Sequence, residues 1–234
     1  MHLPPSNKIV IQKVISSSGL MSRRQAETAV RSGQVKVNGV KARLGDRVDL
    51  NKDVVKVKSK TIKPERQKIY YLVNKPVGYT CTLKDRYASK KIIDLVPSKP
   101  KVWPVGRLDK NSSGLIIMTN DGDFTHKMTH PSYNHQKEYI VTLNKNISPQ
   151  LLNRLKGGIK LKQGIAKADS VKKISAKKLN IIIHQGWKRQ IRLMLAGCGY
   201  QAVDLLRVRI QNYKLGGLKP GKYYSFKLKQ PQKS

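Results

Sequence analysis

Cysteines and long apolar runs are scarce in this chain of 234 residues. The two cysteines, Cys81 and Cys198, lie far apart and belong to no CxxC motif or Cys/His cluster. This argues against a disulfide framework and against a structural zinc site. No apolar run approaches the roughly 18–20 residues needed to cross a bilayer, and residues 1–6 lack the apolar core of a signal peptide. We therefore expect a cytoplasmic protein with no membrane attachment.

Cofactor-binding motifs are also missing from the sequence. It contains no phosphate-binding glycine motif, no dinucleotide fingerprint and no cluster of metal-ligand residues. Such motifs have recognisable spacings because the bound group fixes the geometry of its ligands. We therefore expect a function that needs no cofactor and no metal ion.

Acidic residues are the third scarce class, with 13 Asp and Glu against 48 Lys and Arg. The net charge is +35 and the pI is about 10.4. Self-repulsion on this scale disfavours a compact chain unless a polyanion screens it. Nucleic acid is the expected partner, and an anionic membrane is the weaker alternative. The length suffices for a small domain followed by a larger one.

The N-terminal part of the sequence predicts two short helices and a small sheet. Ser22 and Gln25 have the spacing of a capping box, which marks the start of the second helix. Alternating strands follow, joined by the turn Asn38-Gly39. Arg23 and Arg24 lie at the helix start, where free backbone N–H groups favour a phosphate. The alternative for both arginines is a solvated helix face.

The stretch from Gly106 to Phe124 organises the larger part of the chain. A polar loop carries Asp109 between Arg107 and Lys110, and an apolar, β-branched strand over residues 115–118 follows it. An acid placed among cations in so basic a chain needs an explanation. One possibility is a capping or turn aspartate, and the other is a nucleophile or base on a positively charged surface.

The motif of this stretch consists of Gly106-Arg107-Leu108-Asp109, Ser112, Gly114-Leu115 and Thr119-Asn120-Asp121-Gly122. It resembles the catalytic motif of the RsuA/RluB/RluE/RluF family of ribosomal-RNA pseudouridine synthases. The resemblance implies that Asp109 is the essential catalytic residue. Arg107, beside it, would fill the space that an extracted base leaves or bind its phosphate.

Two further motifs resemble the same family. The strand before Lys75-Pro76-x-Gly78 fits its first motif, in which Pro76 and Gly78 have structural roles, and Lys75 is a candidate RNA contact. Lys137-Glu138-Tyr139 begins another strand. The resemblance implies that Tyr139 stacks on the target base, a contact worth about 1–3 kcal/mol. A tyrosine in a strand is otherwise a core residue.

The last motif, from Gly186 to Met194, enters a helix. Its resemblance to the family implies that Arg192 is the partner of Asp109 and that Ile191 lines the base pocket. Lys188 and Arg189 are expected RNA contacts. The sequence departs from the family pattern at Lys188, where asparagine is usual, at Leu193, where arginine is usual, and at Asn111, where aspartate is common. These departures weaken any inference about which RNA is recognised.

The N-terminal helices and sheet resemble the S4 RNA-binding domain. We therefore expect an α+β protein with a disordered lead (1–7), an S4-like domain (8–58), a linker (59–68), a catalytic domain (69–229) and a tail (230–234). The catalytic domain should contain a mostly antiparallel mixed sheet flanked by helices.

The function implied is isomerisation of one uridine in ribosomal RNA, with the large-subunit (23S) RNA favoured, by a monomeric enzyme. The alternative is a catalytically inactive S4-type ribosome-associated RNA-binding protein. A polycation that binds DNA or membranes non-specifically would explain the charge but not the motifs. The sequence leaves open which uridine is modified, a side activity on tRNA, whether free RNA or an assembled subunit is bound, and whether the aspartate acts as nucleophile or base.

Overall fold

The computed structural model describes residues 8–63, 67–82 and 88–228. The predicted lead and tail, residues 64–66 and residues 83–87 lie outside this part of the chain. The chain divides into two compact units, with the division between Lys68 and Ile69. The expected α+β class, with a small first unit and a mixed, mostly antiparallel sheet in the second, is confirmed.

The first unit consists of two helices and two small sheets. Its elements are β1 (Ile9–Val10), α1 (Ile11–Ser17), α2 (Arg23–Arg31), β2 (Val35–Val37), β3 (Val40–Lys41), β4 (Arg47–Val48), β5 (Val55–Val57) and β6 (Lys60–Thr61). β1 pairs with β4, and the other strands form a sheet in the order β3-β2-β5-β6. The predicted capping box of α2 is present. The N–H of Gln25 donates to the Ser22 hydroxyl, and the N–H of Ser22 donates to the side-chain carbonyl of Gln25.

The predicted linker begins too early in the sequence. Lys60–Thr61 forms β6, which pairs with β5, and Ile62 is 5% exposed in the core of the first unit. The segment is polar in sequence because β6 lies exposed at the edge of the sheet. Ile62, directly after β6, packs in the core. The residues from 59 to 62 therefore belong to the folded first unit.

The second unit is built on a nine-stranded sheet. Its elements are β7 (Tyr70–Lys75), a 3₁₀ helix (Ile92–Leu95), β8 (Trp103–Pro104), β9 (Ser113–Thr119), α3 (Gly122–Thr129), a 3₁₀ helix (Pro131–Tyr133), β10 (Lys137–Leu143), α4 (Pro149–Gly157), β11 (Ile159–Leu161), β12 (Gly164–Ala166), β13 (Ser170–Lys173), β14 (Lys178–Ile183), α5 (Gln190–Ala196), β15 (Ala202–Ile210), β16 (Tyr213–Lys214) and β17 (Tyr223–Ser225). The main strand order is β13-β14-β10-β15-β9-β7-β17, with β8 paired to β9 and β16 to β15. Among the strands that the structure describes in this sheet, only β9 and β15 pair in parallel.

The central strand β9 is buried on both faces of the sheet. Ile116 and Met118 pack in one core, and Leu115 and Ile117 pack in the other. Successive side chains of a strand point to opposite faces, so a continuous apolar run is what a covered sheet requires. The loop that carries Asp109 is therefore joined to a strand that is buried on both faces.

Residues 159–183 contain four strands, β11 to β14. β11 and β12 form a separate hairpin, whereas β13 and β14 extend the main sheet. In the part of the chain that the structure describes, no helix is long and apolar enough to cross a membrane.

Candidate active site

A cavity of about 510 Å³ opens in the second unit beside the loop that precedes β9. Small-molecule sites in proteins have volumes of about 300–1,000 Å³. Four residues predicted for the site, Arg107, Asp109, Tyr139 and Ile191, line this cavity. They come from three distant parts of the sequence, which the fold brings together.

Hydrogen bonds from several elements fix the loop around Asp109. The N–H of Ser112 donates to the carbonyl of Asp109 (3.0 Å), and the N–H of Gly78 donates to the carbonyl of Lys110 (2.8 Å). The N–H of Leu108 donates to the Sγ of the buried Cys81 (3.3 Å). The loop is consequently held on both sides of Asp109, whose own side chain is half-buried.

The prediction that Lys75 contacts RNA is wrong. Lys75 is 0% exposed, and its ammonium donates to the carbonyls of Pro76 (2.9 Å) and Lys110 (3.4 Å). Burial lowers the pKa of this lysine to about 8. Its contact with Lys110 makes it a support of the Asp109 loop, because the strand that ends at Lys75 runs beside that loop.

The expected ion pair between Arg192 and Asp109 is not formed: none within 4 Å is found over the described ranges. The guanidinium of Arg192 instead donates to the carbonyls of Ala202 (2.7 Å) and Asn111 (2.6 Å). Burial and then the charge of Arg189 lower the pKa of Arg192, while Asp109 acts in the opposite direction. Arg192 therefore contacts the backbone of the Asp109 loop and interacts with the Asp109 carboxylate electrostatically at longer range.

Tyr139 and Ile191 are wall residues of the cavity. Tyr139 is 7% exposed on β10, and Ile191 is 3% exposed on α5. Arg107 is exposed at the edge of the same cavity. The flat ring and the aliphatic side chain offer apolar surfaces to a planar ligand, whereas Arg107 offers a charge where the cavity meets solvent.

Lys188 and Arg189 also line the cavity and are exposed. Arg189 has a φ of 57° immediately before α5, a left-handed conformation that is uncommon for residues other than glycine. In the first unit, Arg23 and Arg24 are exposed in the first turn of α2. RNA contact by these four residues stays a prediction.

The cavity lining also includes Ser112, Lys137 and Arg207, to which the sequence assigned no role. Burial, followed by the charge of Arg207, lowers the pKa of Lys137 to about 8. Ser112 is part of the motif around Asp109, but its burial depends on packing that the motif does not specify. Arg207 lies on β15, whose alternation of apolar and basic residues indicates only that one face is buried. Across the described residues, no group of three or more His, Cys, Asp or Glu side chains is arranged to hold a metal ion.

Both units of the chain match known protein families. Residues 69–197 match the family RNA pseudouridylate synthase, and residues 11–65 match the S4 domain. The chain is 38% identical over 221 residues to the dual-specificity RNA pseudouridine synthase RluF of Escherichia coli (strain K12), covering 94% of this chain and 76% of that protein.

Two other proteins are similar over most of their length. Identity to the ribosomal large subunit pseudouridine synthase B of Bacillus subtilis (strain 168) is 36%, covering 90% of this chain and 89% of the relative. A crystal structure of a pseudouridylate synthase superimposes with a TM-score of 0.67 and 25% identity, covering 94% of this chain and 96% of that chain. With a matching family over more than half of its length and relatives of this identity, the chain belongs to the RsuA/RluB/RluF family of RNA pseudouridine synthases, which have an S4 domain before the catalytic domain.

Proposed function

We propose that this enzyme converts a specific uridine of large-subunit (23S) ribosomal RNA to pseudouridine, with Asp109 as its catalytic residue. The observation that carries the proposal is the cavity that brings Asp109, Tyr139 and Ile191 together. The names of two relatives, one a ribosomal large subunit enzyme, support the choice of RNA. The net charge of +35 suits a polyanionic substrate.

The reaction breaks the C1′–N1 bond of uridine, rotates the base and rejoins it to the sugar through C5. It is an isomerisation, so no group is added and no redox step occurs. Asp109 is suited to act on the sugar or the base because a carboxylate can serve as a nucleophile or as a base. Its position at the edge of a cavity allows it to meet a nucleotide that has left the helix.

The target base must be flipped out before Asp109 reaches it. Flipping costs a few kcal/mol and is easiest in loops and bulges. Tyr139 offsets part of this cost by stacking on the extracted base, and Ile191 lines the base pocket. Arg107, at the cavity edge, binds the phosphate or fills the vacated space in the helix. Arg192 acts as a positioning residue, because its contact is to the backbone at Asn111.

The test combines mapping and mutagenesis. Pseudouridines in ribosomal RNA are mapped in cells with and without the gene, and the site that disappears is then modified in vitro by purified protein. Asp109→Asn should abolish modification while RNA affinity changes by less than about threefold. Asp123→Asn, an exposed aspartate on α3 outside the cavity lining, is the matched control. Turnover by Asp109→Asn, or a lost site in small-subunit RNA, would overturn the proposal.

A catalytically inactive S4-type RNA-binding protein would give a different result. It would bind ribosomal RNA with the same salt dependence, but the maps from the two cell types would be identical. The same experiment therefore separates the two functions.

A further inference from the structure

Two buried polar atoms in the cavity have no hydrogen-bond partner within the described residues. They are the Oγ of Ser112 and the Nη2 of Arg207, whose residues are 1% and 3% exposed. Leaving such a group unsatisfied is unfavourable, and more so for a charged one. Both residues line the cavity together with Asp109 and Tyr139. Two unsatisfied groups on residues that line the same cavity are candidates for binding a polar atom of the ligand.

The fold fixes the side chain of Arg207 firmly. β15 lies between β9 and β10, and Arg207 stands opposite Gly114 on β9 and opposite Tyr139 on β10. The Nε of Arg207 donates to the carbonyl of Leu115 at 2.7 Å. This bond anchors the Nε side of the guanidinium, and the buried Nη2 has no hydrogen-bond partner within the described residues.

The surroundings of Arg207 select the chemistry of the ligand. No carboxylate in the described part of the chain lies within 4 Å of it, and its charge acts on the neighbouring Lys75 and Lys137. A guanidinium only donates hydrogen bonds, whereas the Ser112 hydroxyl also accepts them. The site therefore favours an oxygen atom that carries partial or full negative charge.

The reaction generates such an oxygen. When the C1′–N1 bond breaks, its electron pair leaves with the base, and C1′ is compensated by a new bond to a carboxylate oxygen or by loss of the C2′ proton. The negative charge spreads over the uracil ring to its carbonyl oxygens O2 and O4. A fixed donor in a water-poor site stabilises developing charge of this kind strongly.

We propose that Arg207 Nη2 and Ser112 Oγ form a subsite that binds a carbonyl oxygen of the flipped uracil and stabilises the charge on the detached base. This inference rests on the proposed function, because it requires a uridine in the cavity beside Asp109. It adds a contact to the base, whereas the roles given above to Arg192 and Arg107 concern the loop and the RNA backbone.

The test uses a synthetic large-subunit RNA fragment that contains the mapped uridine. The target nucleotide is supplied as uridine, 2-thiouridine, 4-thiouridine or 2′-deoxyuridine, since sulfur accepts hydrogen bonds poorly. Single-turnover rates are measured for the wild type and for Arg207→Lys and Ser112→Ala. On uridine, Arg207→Lys should lower the rate about 10²-fold and Ser112→Ala about tenfold, in line with loss of a donor to a developing oxyanion.

The decisive result is the coupling between variant and substrate. One thio substitution should slow the wild type at least about tenfold but leave the variants nearly unaffected, because they have already lost the contact. Equal slowing of all proteins, or coupling only to 2′-deoxyuridine, would overturn the proposal. Arg209→Lys is the control on the same strand: its guanidinium binds Glu138 at 2.6 Å outside the cavity lining, and its rate should stay within about threefold.

Folding is checked for every variant by thermal melting. If Arg207→Lys does not fold, Ser112→Ala alone carries the test, because it leaves the bond from Arg207 to Leu115 intact. If Asp109→Asn is inactive but the variants show no coupling to the thio substitutions, only this inference is wrong and the proposed function stands. A wild type that modifies no uridine in the fragment would remove both the inference and the proposed function.

Discussion

The guanidinium of Arg192 donates a hydrogen bond of 2.6 Å to the backbone carbonyl of Asn111, two residues after Asp109. A charged donor bound to a carbonyl is among the stronger hydrogen bonds, worth about 1.5–3 kcal/mol. Arg192 spans from α5 to the carbonyls of Asn111 and Ala202 and so links three segments of the second unit. We expect the position of the Asp109 carboxylate to depend on this link.

The first prediction concerns this arginine. Arg192→Lys retains the charge but cannot make both backbone bonds with the same planar geometry. We expect kcat to fall about 10²-fold, since a displacement of about 1 Å at a reacting group has an effect of that order. RNA affinity should change by less than about threefold.

Arg154 on α4 provides the control for this experiment. Its guanidinium also donates to a backbone carbonyl, that of Gly197 at 3.0 Å, but it contacts neither the loop nor the cavity lining. Arg154→Lys should leave kcat unchanged. An equal loss in both variants would show that Arg192 acts through general stability instead of the loop.

The sequence predicted which residues form the Asp109 loop better than it predicted what those residues contact. The motif around Asp109 identified the loop, because a polar turn before an apolar β-branched strand is a local pattern. The Arg192–Asn111 bond and the burial of Ser112 and Arg207 are long-range consequences of β15 pairing in parallel with β9. Such a pairing leaves no local signal in the sequence.

The same distinction explains the errors in the first unit and at Lys75. The capping box of α2 is local, and it was predicted correctly. By contrast, the apolar residues Ile9–Val10 directly precede α1 but form β1, because they pair with the distant strand β4. Lys75 reads as a surface cation, yet its strand is covered on both faces, so the ammonium is buried against backbone carbonyls.

The second prediction concerns the pH dependence of stability. Burial lowers the pKa of Lys75 to about 8, from 10.5. Below pH 8 the lysine is protonated in both states, and burying the charge lowers stability by a constant amount. Between pH 8 and 10.5 the unfolded state binds more protons than the folded state, so this contribution rises with pH. A pKa difference of about 2.5 corresponds to at most about 3 kcal/mol.

Lys75→Met removes this contribution. Urea unfolding at pH 7.5, 8.5 and 9.5 should show that the stability of the wild type rises relative to that of the variant as the pH increases. The absolute stability of the variant also reflects the hydrogen bonds lost to Pro76 and Lys110, so the slope is the measurement that matters. Lys178→Met, at an exposed position on β14, should run parallel to the wild type. A parallel curve for Lys75→Met would contradict the prediction.

The third prediction concerns the close approach of β9 and β15. Gly114 has a φ of +103°, and a Cβ there would lie 2.3 Å from the carbonyl oxygen of Arg207. Because that atom belongs to the backbone, the two strands would have to separate. Gly114→Ala should destabilise the protein by about 4 kcal/mol or more, the range of exceptional core mutations.

A second glycine separates strain from crowding in this experiment. Gly39 has a φ of +88° but no atom within 4 Å of its added Cβ. Gly39→Ala should cost only the backbone strain, about 1–2 kcal/mol. If thermal unfolding shows equal losses for both variants, the approach of the strands is not what excludes a side chain at Gly114.

The fourth prediction concerns the first unit and its grip on RNA. Arg23 and Arg24 are exposed in the first turn of α2, where the free N–H groups and the helix dipole favour a phosphate. If each neutralises one phosphate, replacing both with alanine should reduce the slope of log K against log salt by about 1–2. Filter binding to the RNA fragment measures this slope over a salt range of roughly 50 to 300 mM.

Removing two positive charges anywhere could also reduce the slope of log K against log salt. The control therefore removes two positive charges elsewhere in the first unit. Arg31→Ala with Arg43→Ala does so at two exposed positions away from the start of α2. Arg31 lies in the last turn of that helix, where the dipole repels a phosphate. The slope for this pair should stay within about 0.5 of the wild-type value, and stability should be unaffected in both pairs because exposed ion pairs such as Arg23–Glu27 contribute little. If both pairs reduce the slope equally, RNA is held by the diffuse charge of the unit and not by a phosphate site at the helix start.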